Sequence, residues 1–417
     1  MENNDFLNCK TPKLPQPGKK FVWECPESGQ ALWLAELKES AKATPFCIVC
    51  NSAQNARALK TALAFFAPHF KTAILPDSET LPYDPFSPHP DLISEKLKTL
   101  WQMSQNAVDF LIIPAAVALQ RLAPPTFLSE MSFFLKTGQR IALNAFRQRL
   151  QESGYAATKQ VIAAGEYALR GAILDVFPMG SSAPFRLDLF DDEIESIRLF
   201  DVETQRSVQK VAEINILPAH EFPTDDAAIA LFRANFRENF NNTQNQIYQQ
   251  ISKGFIPAGI EYYLPLFFNK TATIFDYILN NSILFLTPST FNEMSAFYND
   301  LEQRFSFLEN DRPILKPEAL FLKPEDFFKN ASNFGQIILK PIPCELPEIL
   351  INRRLADPLK NLSDFKNNHE DDKIFLFADS LGRQEIILSL LNDHHLNPTE
   401  IKDFKNAKTN FNIATTP

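Results

Sequence analysis

In the run FRLDLF, Phe185, Leu187 and Leu189 alternate with Arg186, Asp188 and Phe190, the pattern of a strand with two unlike faces. With the leucines turned to the core, Arg186 and Phe190 share the opposite face, and Phe190 stands in water. An exposed aromatic beside an arginine on a rigid strand is the composition of a protein-binding hot spot. The planar fork of an arginine can also hold a carboxylate bidentately, so the chemistry offered here is recognition. The alternative is structural: Phe190 tucked beneath the turn Asp191-Asp192-Glu193, with Arg186 a surface charge. The surrounding stretch, Gly165 to Asp201, reads as three or four short strands whose one long turn is Met179-Gly-Ser-Ser-Ala-Pro184.

Other reactive side chains have spacings that argue against chemistry. Cys47-Ile-Val-Cys50 is a CxxC inside an apolar run, Phe46 to Cys50, that reads as a buried strand. Residues i and i+3 of a strand face opposite sides, so these thiols diverge and are core residues rather than metal ligands or a redox pair. The five cysteines have no framework spacing. His394-His395 beside Asp393 suits a helix C-terminus, where histidines complement the helix dipole. His220 and Glu221 lie in AHEFP, a turn after a strand rather than a metal-binding helix. There is no GxSxG elbow. No catalytic residue and no metal ligand is expected.

The elements that must position FRLDLF belong to a long, mixed chain. At 417 residues it exceeds a single core and should divide into two to four domains. Its 45% hydrophobic and 22% charged content is ordinary for globular protein, with Phe abundant at 38 and Gly scarce at 11. The net charge of −9 opposes binding to nucleic acid phosphates, which requires a basic face, and no Lys/Arg stripe runs along the chain. Between Glu166 and Glu213 acidic residues outnumber basic ones two to one, which favours protein partners. No apolar run is long enough to span a bilayer, and the N-terminus lacks secretory features, so no membrane contact and a cytoplasmic location are expected.

Periodicity predicts helices over Gln30–Lys42, Ala53–Phe66 and Asp91–Met103, alternating with strands over Phe46–Cys50, Thr72–Leu75 and Asp109–Ile113. That alternation implies a parallel sheet covered by helices. An α+β pattern follows, with a helix over Leu143–Glu152 and then the strand cluster. A helical period returns over Thr224–Gln250, and Ile283–Leu286 reads as another buried strand. The fold class is therefore α/β: one domain over 1–127 and 219–335, interrupted by an inserted α+β domain over 128–218. Residues 336–372 read as a polar, Pro-punctuated linker, and 373–417 as an incomplete small α/β domain.

GEYALRGAILDVFPMG, FRLDLFDDEIESIRLFD and ILPAHEFPTD, with LPYDPFSPHPDLISEKLKTL upstream and SKGFIPAGIEYYLPLFF downstream, occur in the order in which bacterial transcription-repair coupling factors carry them. Essentially the whole chain resembles the UvrB-homology module of that family, most closely from Leu81 to Phe268. Nothing in it corresponds to the family's RNA polymerase-binding domain or RecA-like motor, so the resemblance implies an N-terminal fragment. It also implies that the first domain is a degenerate helicase-like fold. A working phosphate loop needs GxxxxGK[ST]. Gly254-Phe-Ile-Pro-Ala-Gly259 has the glycine spacing but is followed by Ile260-Glu261, and the aligned position falls near Ser28-Gly29-Gln30-Ala31, without lysine or hydroxyl. The strand Ile283–Leu286 runs into Thr287-Pro288-Ser289, where UvrB carries acidic residues. UvrB's Tyr-rich DNA-gripping hairpin is reduced to a short connection, Asp77 to Asp91, with Tyr83 alone. ATP and Mg²⁺ would thus belong only to motor domains outside this chain, as would contacts with RNA polymerase and DNA. The resemblance implies an adaptor that recruits UvrA, and places the UvrA-binding residues at Arg170, Arg186 and Phe190. The alternative is a helicase-like protein that binds DNA directly.

Overall fold

The computed structural model describes residues 13–240, 243–343, 349–351 and 357–415. The chain opens with β1 (Lys20–Pro26), β2 (Phe46–Cys50), β3 (Thr72–Ile74) and β4 (Phe110–Pro114). Eight strands of the middle segment follow: β5 (Phe133–Lys136), β6 (Ala156–Ala157), β7 (Glu166–Arg170), β8 (Ile173–Val176), β9 (Phe185–Phe190), β10 (Glu193–Phe200), β11 (Ser207–Val211) and β12 (Glu213–Ile216). Then come β13 (Ile283–Leu286) and β14 (Gly335–Ile342), and finally β15 (Ile374–Ala378), β16 (Thr399–Glu400) and β17 (Phe411–Thr415).

The first sheet has the order β1-β14-β13-β2-β4-β3, and its strand pairs are all parallel. Every residue of β2, β4 and β13 is buried, as parallel strands covered on both faces must be. Alternate side chains feed two cores. Cys47, Val49, Leu111, Ile113, Leu284 and Leu286 enter the larger one, while Phe46, Ile48, Cys50, Phe110, Ile112 and Phe285 enter the smaller one beneath the helix Gln30–Ser40. Cys47 and Cys50 therefore do point to opposite faces, and burial pushes both thiols up to about 12. The helix Ala53–Phe66 begins where the sequence places it because the Ser52 hydroxyl accepts the Asn55 N–H.

Two expectations need correction. Residues 336–372 are not simply a linker: Gly335–Ile342 is β14, inserted between β1 and β13, and Lys360–Asn368 is a helix. β14 (GQIILKPI) has no period-2 alternation and carries Lys340-Pro341 near its end, and its partners lie some 50 and 300 positions away, so no local periodicity marks it. Gly335 admits β14 against the preceding chain, since a Cβ there would lie 2.2 Å from the Pro15 carbonyl oxygen. The single helical period over Thr224–Gln250 is two helices, Asp226–Phe240 and Gln246–Ser252, the second capped by Asn245. Cys9 and Cys344 lie outside the described residues.

The segment between β4 and β13 carries a second, mostly antiparallel sheet, β11-β10-β9-β8-β7-β6, beside the pair β12-β5. Its tight turns set the register. Gly171 supplies a positive φ between β7 and β8, and Asp191 takes φ 55° between β9 and β10. The small parallel sheet β15-β17-β16 is packed on one side by its own helices. On the other side Phe375 and Phe404 meet Phe65 and Phe66 of the helix Ala53–Phe66.

Candidate protein-binding face on the inserted sheet

On β9 the alternation holds. Leu187 and Leu189 are buried in the main core, and Phe190 is 72% exposed at the strand's end. The structural alternative for Phe190, a ring tucked under the following turn, is thereby excluded. Asp191 in the left-handed region makes the turn tight, and Glu193 pairs directly opposite Phe190, leaving the ring outside.

Arg186 is different. Its side chain is only 17% exposed, because it is clamped onto Asp175 of the neighbouring strand β8. Nε donates to Oδ1 at 2.7 Å and Nη2 to Oδ2 at 2.9 Å, while Nη1 donates to the Gln205 carbonyl at 3.1 Å. The guanidinium also lies 4.7 Å over the Phe200 ring. The expected bidentate grip on a carboxylate exists, but the carboxylate is the chain's own. Asp175 is fully buried and also accepts a hydrogen bond from Arg170, which is 51% exposed. Hydrogen bonding to Asp175 raises the Arg186 pKa against the opposing effect of burial. One carboxylate thus draws together two of the three expected residues across three strands. A charge buried this deeply stands only when it is paired and hydrogen-bonded.

A second ion pair lies beside the first. Asp188 accepts from Arg198 Nε at 3.0 Å and from the Ser196 hydroxyl at 2.6 Å, both on β10. Burial pushes the Asp188 pKa up, but the Ser196 and Arg198 hydrogen bonds outweigh it and hold the carboxyl below its ordinary value. The sequence reading missed Asp175 and Arg198. Asp175 looks like any strand residue until the β8–β9 register sets it opposite Arg186.

The segments that the resemblance aligns with a nucleotide site are also described. β1 leads through a short 3₁₀ turn, Glu27–Gly29, into the helix Gln30–Ser40, as a phosphate loop would. Here Trp23 stacks on Trp33 at 4.8 Å. At the end of β13 the hydroxyl of Thr287 donates to Asn51 Oδ1 at 2.8 Å, and Asn51 Nδ2 donates to Ser289 at 3.0 Å. These neutral groups satisfy one another at the end of β13. Among the described residues no cluster of three or more His, Cys, Asp or Glu is placed to hold a metal ion. His220 stacks on Phe222, Glu221 is ion-paired to Lys96 at 2.6 Å, and His394 approaches Asp357 at 3.3 Å. No helix of the described residues is long and apolar enough to cross a membrane.

Residues 133–222, which include this face, match the UvrB interaction domain family, and residues 365–417 match the family described as MFD, D3 domain. The chain is 38% identical over 350 residues to the transcription-repair-coupling factor of Haemophilus influenzae, covering 80% of this chain and 30% of that protein. It is 43% identical over 290 residues to the transcription-repair-coupling factor of Escherichia coli, covering 69% and 25%. This chain belongs to the transcription-repair-coupling factor family. It spans less than a third of the length of these curated relatives. Within the family's frame, the polar outer face of β7–β10 lies wholly inside the UvrB interaction domain.

Proposed function

We propose that this chain is an adaptor module that docks UvrA, and that Arg170, Arg186 and Phe190 form the centre of the docking face. The observation that carries the reading is Phe190, an aromatic 72% exposed at the end of a well-packed strand. Beside it lie two arginines organised by one buried carboxylate. Phe190 is the apolar anchor and Arg170 the charged contact, with free donors beyond those given to Asp175. Arg186 presents little surface and serves chiefly to hold Asp175 and, through it, Arg170. Recruitment of UvrA to a stalled RNA polymerase, and ATP-driven movement on DNA, would belong to the longer family proteins rather than to these residues.

The test is calorimetric titration of the chain into purified UvrA. Phe190→Ala should weaken binding by at least about 30-fold, a hot-spot loss of roughly 2 kcal/mol or more, with the thermal melting curve unchanged. Binding indifferent to Phe190→Ala would sink this assignment of the surface.

A further inference from the structure

The cross-strand register sets a second feature on the same face. Arg186 on β9 stands opposite Arg198 on β10, and Arg198 stands opposite Lys210 on β11. Three cations therefore form a row across three adjacent strands, perpendicular to the chain. This occurs in a stretch where acidic residues outnumber basic ones two to one. Like charges placed directly opposite one another destabilise a sheet. The nearby carboxylates relieve only part of that repulsion. Asp175 is shared by Arg170 and Arg186, and Asp188 is taken by Arg198 and Ser196. Lys210 is exposed and forms no ion pair among the described residues. Glu193, across from Phe190 at the other end of the face, already has Arg140 3.9 Å away. The row thus ends at the exposed Lys210, a positive charge without an ion pair among the described residues.

We infer that the UvrA-docking surface extends beyond Phe190 and Arg170 along this row to Arg198 and Lys210, and that the complementary partner surface is acidic, with an apolar recess for Phe190. This rests on the reading of the face as the UvrA-binding one. A cationic row on a rigid sheet steers an acidic partner and fixes its register, an effect that salt screens. The competing account is that Lys210 only protects the open edge of β11 against pairing with other chains.

Lys210→Glu separates the two, because Lys210 has no internal partner to lose and the fold should be unaffected. Binding to UvrA is measured by calorimetry at about 50 mM and about 300 mM salt, alongside Phe190→Ala and a remote control, the exposed Lys402→Glu. The expected result is a loss of roughly tenfold for Lys210→Glu at low salt, contracting to about threefold or less at high salt, with Lys402→Glu unchanged. If Lys210→Glu binds like the parent chain while Phe190→Ala does not, the row is no part of the interface and the extension is wrong. If Lys402→Glu weakens binding as much as Lys210→Glu, the effect is one of net charge and the row is again excluded. If the unmodified chain does not bind UvrA at all, the docking reading fails first and takes the extension with it.

Discussion

The two large sheets of this chain use their faces in opposite ways. The parallel sheet β1-β14-β13-β2-β4-β3 buries its central strands completely, between two apolar cores. The antiparallel sheet buries one face and gives the other a salt-bridged polar lining with a single projecting phenylalanine. In the first, Thr287 and Ser289 at the end of β13 are joined to Asn51 by neutral hydrogen bonds. In the second, polar residues on a buried-edge face are arranged with a density that packing alone does not require. A parallel sheet covered on both faces has no surface to offer a partner, whereas a sheet with one open face can.

Core damage and face damage should therefore separate. Phe285, fully buried between Trp33 and Phe46, is the sharpest probe of the scaffold. Phe285→Ala should destabilise the chain by about 4 kcal/mol in chemical denaturation, while the protein that remains folded keeps its affinity for UvrA. Loss of affinity in that folded fraction would mean the two sheets are coupled, contrary to the comparison.

Asp175 tests the other side. Asp175→Ala leaves Arg170 and Arg186 without their shared carboxylate, and removing one partner from a buried ion pair costs about 3 kcal/mol. Because both arginines lose their aim, UvrA binding should fall together with stability. A variant with parent-like affinity would show that Asp175 supports only the fold.

The smallest effect lies at the junction where the chain leaves the inserted segment. Burial lowers the His220 pKa to about 4, from an ordinary value near 6.5. Its ring stacks on Phe222, which stacks in turn on Phe267. The folded state favours neutral imidazole, so this stability is complete above about pH 6.5 and is lost progressively as pH falls towards 4. The loss should be on the order of 2 kcal/mol, read from denaturation midpoints between pH 7 and pH 4.5. His220→Phe should flatten that slope. An unchanged slope would place the acid sensitivity elsewhere, with Asp188 contributing only at lower pH because its pKa is already depressed.

Much of this was written locally. The strand Phe46–Cys50, the helices Ala53–Phe66 and Leu143–Glu152, and the strand Ile283–Leu286 were legible to the residue, because unbroken apolar runs mark the strands and the apolar period marks the helices, with Ser52 capping Ala53–Phe66. The face of Phe190 was legible too, since alternation on β9 assigns it, but whether the ring stood free or tucked under the next turn was decided only by the fold. β14 was not legible, because its apolar residues do not alternate and Lys340-Pro341 interrupts the run.

The site divides along the same line. Sequence alone determined that Arg186 and Phe190 share a face. Only the tertiary structure decided that Arg186 spends its donors on Asp175, leaving Arg170 the more open cation. It alone lined up Arg186, Arg198 and Lys210, a basic stripe invisible along the chain because it runs across the strands. The physical reason is register. Alternation along one strand is a local property, whereas the neighbour across a strand is fixed by turn geometry and by the burial of the opposite face.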